Sequence, residues 1–180
     1  MPHIHEKIDY TADVFVVFQN KVLIRKHDKY KKWLAVGGHV ELDETPDVAA
    51  LREVKEEVGL DIRLISPRSI PAYEGEYQEL APPWYMNIHP INETHKHISF
   101  VYFAISDGNA VVPEKPDDEW RWFTKEELDA PNEINETVIF YAQEALKAIL
   151  ICEDRNMKVM QSSIDIEFPV VLDERTIKKN

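Results

Sequence analysis

The stretch "GGHVELDETPDVAALREVKEEVGL", residues 37–60, decides how the rest of the chain is read. It crowds carboxylates into a short segment bracketed by glycines. Like charges so close repel, so either solvent screens them or something positive sits among them. Thr45 suits an N-cap, Pro46 the first helical position and Asp47 the positive end of the helix dipole. Gly59 is a natural stop. The spacing therefore predicts a helix, with Leu51, Val54 and Val58 as its buried stripe. Glu53, Glu56 and Glu57 are three and four residues apart and share another flank. Three ionised carboxylates destabilise a bare helix, whereas a hard divalent cation such as Mg²⁺ reverses the sign of their interaction. Arg52 can orient a carboxylate by a bidentate contact. Gly38 lets the backbone come close and offers its carbonyl as a further oxygen ligand. Glu44, just before the cap, can hold the loop against the helix.

Upstream, "DVFVVFQ" (13–19) and "KVLIRKH" (21–27) predict a β-hairpin turning at Asn20. "KYKKWLAV" (29–36) is a basic loop entering a short strand. Downstream, "LDIRLIS" (60–66) predicts a strand, and residues 67–96, with their prolines, mostly loop. "HISFVYFAIS" (97–106) is the best central strand. "DDEWRWFT" (117–124) predicts another, followed by a short helix capped by Thr124. "NEINETVIFYAQEALKAIL" (132–150) predicts a long helix with Ile134, Val138, Tyr141, Ala145 and Ile149 on one side. "IDIEF" (164–168) alternates like a strand. The expected organisation is one domain over 1–150 and an extension over 151–180 that packs on it or on a partner.

The whole chain fits that frame. Its 180 residues suffice for one domain with a proper core, and 44% hydrophobic content is globular. A formal charge of −12 argues against non-specific binding to nucleic acid or anionic membranes, yet is compatible with a small polyphosphate held through metal ions. The single cysteine, Cys152, allows no disulfide framework within the chain. The start has no apolar signal-peptide core, and the expectation is a soluble, cytoplasmic protein.

Read from Gly38, the residues fit Gly-x5-Glu-x7-Arg-Glu-U-x-Glu-Glu-x-Gly-U, with U a bulky aliphatic. Gly38, Glu44, Arg52, Glu53, Val54, Glu56, Glu57, Gly59 and Leu60 fill every fixed position. The segment resembles the Nudix box, and the likeness extends to the preceding hairpin, to Trp33 before the double glycine and to "EWRWFTKEEL" (119–128). Val36 and Asp43 depart from the Pro and Gly that many relatives carry there, which bears on loop stiffness. The resemblance implies an α/β fold, an α/β/α sandwich around a mixed β-sheet. It implies Mg²⁺- or Mn²⁺-dependent hydrolysis of a nucleoside diphosphate linked to another moiety. It implies that Glu53, Glu56, Glu57 and the Gly38 carbonyl hold metal, and that Arg52 positions the carboxylates. Water attacking phosphorus must lose a proton to a carboxylate. In this family that base lies inside the box, as Glu56 or Glu57 would, or on a later loop, where Glu119 is the candidate.

Outside the box, Arg25 can reach a substrate phosphate, and Lys26, Lys29, Lys31 and Lys32 can draw one in. Trp84 and Tyr85 can stack on a nucleobase or pack on the domain itself. His95 and His97 flank Lys96 at the entry to the central strand, where a histidine can act as a base, contact phosphate or serve strand entry alone; His39 lies inside the box, and nothing in the pattern assigns it a role. A homodimer is compatible with the sheet and the tail. Two other functions fit the scaffold. One is a nucleotide-binding sensor without turnover, which needs no intact carboxylate trio. The other is a prenyl diphosphate isomerase, which in the resembling family uses a cysteine well inside the domain.

Overall fold

The computed structural model describes residues 7–27, 31–68, 78–159 and 170–172, with the backbone alone for 152–159 and 170–172. In chain order the elements are β1 (Ile8–Phe18), β2 (Lys21–Lys26), β3 (Trp33–Leu34), β4 (Val36–His39), α1 (Pro46–Val58), β5 (Ile62–Ser66), β6 (Tyr85–Pro90), β7 (Lys96–Ser106), β8 (Trp120–Phe123), α2 (Lys125–Asp129), α3 (Glu136–Val159) and β9 (Val170–Leu172).

β1 and β2 form the predicted hairpin, with Val17 opposite Val22. Gln19 and Asn20 turn it with φ of 46° and 59°. Two successive left-handed residues give a turn whose twist matches that of the strands. β1 begins well before the predicted Asp13 because its first half has partners of its own. It pairs antiparallel with β4 and parallel with β7. The sheet is therefore mixed, its main path running β3-β2-β1-β7-β5-β9, with β4 beside β1, β6 beside β7 and β8 beside β2.

Alternation along β1 builds two cores. Ala12, Val14 and Val16 are buried with Ala50, Leu51, Val54 and Val58 of α1. Phe15 and Val17 face the other way, into Ala142, Ala145, Leu146 and Ile149 of α3. β7 repeats the division, sending Tyr102 and Ala104 to the α1 side and Val101 and Phe103 to the α3 side. Each fully buried Val or Phe stabilises the fold by about 1.5–3 kcal/mol relative to exposure. The result is an α/β/α sandwich, as the resemblance implies.

Some local expectations change. The loop expected over 67–96 contains β6, an edge partner of β7. α3 continues past residue 150 to Val159. Neither glycine nor proline occurs between Pro131 and Pro169, so the chain carries no stop signal at 150. "IDIEF" and Lys29 lie outside the described residues, as does the side chain of Cys152. Thr124 does cap α2, with a reciprocal capping box to Glu127. Thr45 stands at the N-cap of α1 without bonding its backbone; its hydroxyl donates to Asp47 instead. Among the described residues no helix is long and apolar enough to cross a membrane.

Candidate active site

α1 presents its buried stripe to the sheet and its acidic flank to the β4 bend. Gly59 ends the helix in the left-handed region, φ 69°, its N–H donating to the Lys55 carbonyl. The last turn is also tied from outside. The backbone N–H groups of Val112 and Glu114 donate to the carbonyls of Val58 and Glu57, at 2.9 and 3.0 Å. Those carbonyls would otherwise lack a helical partner. At the other end, buried Asp47 accepts from the Ala81 N–H at 3.0 Å, anchoring the chain ahead of β6.

Arg52 organises the flank. Its Nε and Nη2 donate to the two Glu44 oxygens, at 3.0 and 2.6 Å. Nη1 donates to Glu53 at 2.9 Å and to Glu56 at 3.0 Å, and Nη2 also to the His39 carbonyl at 3.0 Å. One guanidinium thus fixes the loop, two box carboxylates and the strand after the glycines. Its hydrogen bond to Glu44 comes first among the causes that raise its own pKa. Burial works to raise Glu44, but the hydrogen bonds from Arg52 and the Glu41 amide, with the guanidinium charge, hold it below its ordinary value. A lysine at position 52 can satisfy one carboxylate, not this fork. Arg52→Lys is expected to lower kcat by about 10–100-fold while leaving substrate KM nearly unchanged, as loss of a ligand-orienting contact does. Steady-state kinetics beside a thermal melt separates that from simple destabilisation.

Glu57 lies deeper. It pairs with Arg25 at 2.9 Å and accepts from the Gly37 N–H at 3.0 Å. Burial nevertheless pushes its carboxyl up to about 7, against the pull of Arg25 and that amide, while Glu53 and Glu114 add like charge. Glu53 is raised for the same first reason, burial, with Glu56 and Glu44 adding repulsion that Arg52 opposes. Raised carboxyl values mean that the folded state holds protons which the unfolded chain has released. Glu57 therefore contributes stability below its ordinary 4.5 and loses that contribution as pH rises through about 7. Without divalent metal, the melting temperature should fall over that window, and Glu57→Gln should flatten the fall.

The glycine bend closes the site. A Cβ on Gly38 would lie 2.5 Å from Glu53 Oε1, so the Glu53 carboxylate occupies the space that a side chain would need. Gly37 has φ 148°, and a Cβ there would meet the Ala12 carbonyl at 2.0 Å. The donor set fits a hard divalent cation. It is all oxygen, carries excess negative charge, and is packed tightly enough to raise two of its carboxyl pKa values. Beside it the Arg25 Nε–H is buried with no acceptor among the described residues, a donor available to an anion.

The other sequence candidates fall elsewhere. Trp84 stacks on Phe103 with ring centroids 5.0 Å apart, and its Nε1–H donates to the Ile65 carbonyl. Tyr85 packs among Phe103, Phe140 and Tyr141, its hydroxyl bonded to Glu144. Both lie on the α3 side of the sheet, opposite α1, so the structure does not bring them to the carboxylates. Arg25 is committed to Glu57 rather than lying open to solvent. Glu119 binds Lys26 Nζ through both oxygens, at 3.0 and 3.1 Å. The acidic residue that does adjoin the flank is Glu114, exposed in the same loop, its N–H on the Glu57 carbonyl and its charge felt by Glu57. Sequence spacing alone offers no way to prefer Glu114 over Glu119.

Carboxylates on one helix flank, clamped by an arginine fork against a glycine bend, define the Nudix class of hydrolase site on an α/β/α sandwich. The comparisons agree. The NUDIX domain model matches residues 8–142. A NUDIX-family hydrolase from Clostridium perfringens superposes with TM-score 0.67 at 32% identity, covering 78% of this chain and 97% of that one. A MutT NUDIX hydrolase from Burkholderia pseudomallei shares the fold at 21% identity and TM-score 0.54, over 79% of this chain and 98% of that one. A NUDIX hydrolase from Nitrosomonas europaea does so at 18% and 0.52, over 81% and 73%. No curated protein matches the sequence. The chain belongs to the NUDIX family and is a Nudix hydrolase.

Proposed function

We propose that the protein hydrolyses a phosphoanhydride bond of a nucleoside diphosphate derivative with Mg²⁺ or Mn²⁺ bound at the α1 flank. The observation that carries this reading is the Arg52 fork, which holds Glu44, Glu53 and Glu56 in one constellation beside Gly38. Glu53, Glu56, Glu57 and the Gly38 carbonyl would hold the cation, which when bound neutralises phosphoryl charge and makes water a better nucleophile. Arg52 keeps the carboxylates from splaying under their own repulsion. Arg25 fixes Glu57 and turns its Nε–H to a phosphate oxygen. Glu56, whose side chain is 57% exposed, and Glu114 are the solvent-facing carboxylates there, and either can accept the proton that the attacking water gives up. The substrate is nucleotide-type, as the family implies.

The test is a product screen with Mg²⁺ and with Mn²⁺ across oxidised nucleoside triphosphates, sugar nucleotides, ADP-ribose and dinucleoside polyphosphates. Metal-dependent release of a nucleoside phosphate from one class supports the reading. Tight binding with no product after long incubation would instead favour a sensor.

A further inference from the structure

The strands that carry the glycine bend also assemble a second cluster of metal-ligating side chains that this mechanism does not use. Strand register builds it. Asp9 of β1 stands opposite His97 of β7, and His97 stands opposite His89 of β6. His39 follows the bend on β4, opposite Thr11. His95 enters from the turn between β6 and β7, where Asn92 accepts its N–H at 2.9 Å. Asp9 is fully buried and His95 nearly so. The Nε2 atoms of His95 and His39 lie 3.3 and 3.4 Å from the same oxygen, Asp9 Oδ2. One ligand atom from each of Asp9, His95 and His97 falls within 4.8 Å of the other two. The His97 ring lies 4.9 Å from that of His39 and 5.3 Å from that of His95.

We infer that Asp9, His95 and His97 form a second metal site, with His39 beside it on Asp9, that takes Zn²⁺ or a similar transition-metal ion. Two arguments carry this. The first is chemical: two imidazoles and one carboxylate make a mixed nitrogen and oxygen set, which suits Zn²⁺, Co²⁺ or Ni²⁺ rather than Mg²⁺. The α1 flank is all oxygen, so the two sites sort metals by ligand type. The second is geometric: tetrahedral Zn²⁺ with bonds of 2.0–2.1 Å places neighbouring ligand atoms about 3.3 Å apart. His95 Nε2 and Asp9 Oδ2, 3.3 Å apart, already have that spacing. An ion here would tie β1 to β7 and to the turn before it, next to the His39 contact on Asp9 that follows Gly38.

Titration of tag-free, metal-stripped full-length protein with Co²⁺ tests the site by its visible spectrum. Expected is one equivalent of the intense absorption of tetrahedral Co²⁺ on nitrogen and oxygen ligands, displaced by Zn²⁺ and indifferent to excess Mg²⁺. Glu57→Gln should retain it. His95→Gln and the less buried His97→Gln should each weaken Co²⁺ binding at least tenfold while circular dichroism shows a folded chain. The inference is overturned if wild-type protein gives no intense band, if the band vanishes with Glu57→Gln, or if folded His97→Gln binds Co²⁺ as wild type does. Because the readout is the spectrum, it stands or falls independently of nucleotide hydrolysis.

Discussion

Glu57→Gln is expected to abolish most of the metal-dependent hydrolysis while the protein still folds. The side chain is nearly isosteric, and its amide can keep one of two contacts, the Arg25 pair at 2.9 Å or the Gly37 N–H at 3.0 Å. Losing the other costs about 1–3 kcal/mol, as an unmet buried group does. The same change removes a carboxylate whose burial raises its pKa to about 7, so part of that cost is returned at neutral pH. A modest drop in melting temperature follows. Catalysis has no such compensation. Charge neutralisation at a phosphoryl centre contributes several kcal/mol, and each 1.4 kcal/mol is a tenfold rate. The loss expected in kcat is about 10²–10⁴-fold. A folded variant with kcat within a few-fold of wild type would remove Glu57 from the site.

What the sequence discloses and what it hides follow from how each feature is encoded. The acidic flank is legible because helix geometry converts spacing into proximity without help from the rest of the chain. Arg52 is legible as a partner for the same reason, though its reach to Glu44 and the His39 carbonyl depends on the β4 bend. β6 is hidden because its alternation runs backwards. Met86 and Ile88 face solvent, while Asn87 and His89 are less exposed, bonded to each other, and Asn87 also to Tyr141. A pattern rule that expects apolar residues inside passes over it. Glu114 and Glu119 share one loop, and only the pairing of β2 with β8, which sets Arg25 opposite Trp120, sends Glu119 to Lys26. The histidine cluster is least legible of all. Its members come from β1, β4, β6, β7 and a turn, and strand register alone brings them together.

Gly38→Ala is expected to separate catalysis from folding more sharply than any charge change. Gly38 lacks the left-handed φ of its neighbour, so alanine meets no backbone strain there. The difficulty is the Glu53 carboxylate, whose Oε1, Cδ and Oε2 would lie 2.5, 2.6 and 2.8 Å from the new methyl. Glu53 must yield, and it is buried and held by Arg52. Its displacement by several tenths of an ångström to an ångström costs about 10²-fold in rate, the usual penalty for misplacing a catalytic group by that much. Stability should fall by only about 1–3 kcal/mol, the cost of overpacking one methyl. Gly37→Ala is the contrasting case: its φ of 148° and the 2.0 Å approach to the Ala12 carbonyl set backbone against backbone, and that variant should fail to fold. The decisive comparison adds Glu53→Asp to Gly38→Ala. If the clash with Glu53 is the cause, the shorter carboxylate relieves it, and the double variant melts higher than the sum of the single effects allows. Additive losses in the melts would place the Gly38→Ala defect in the bend itself.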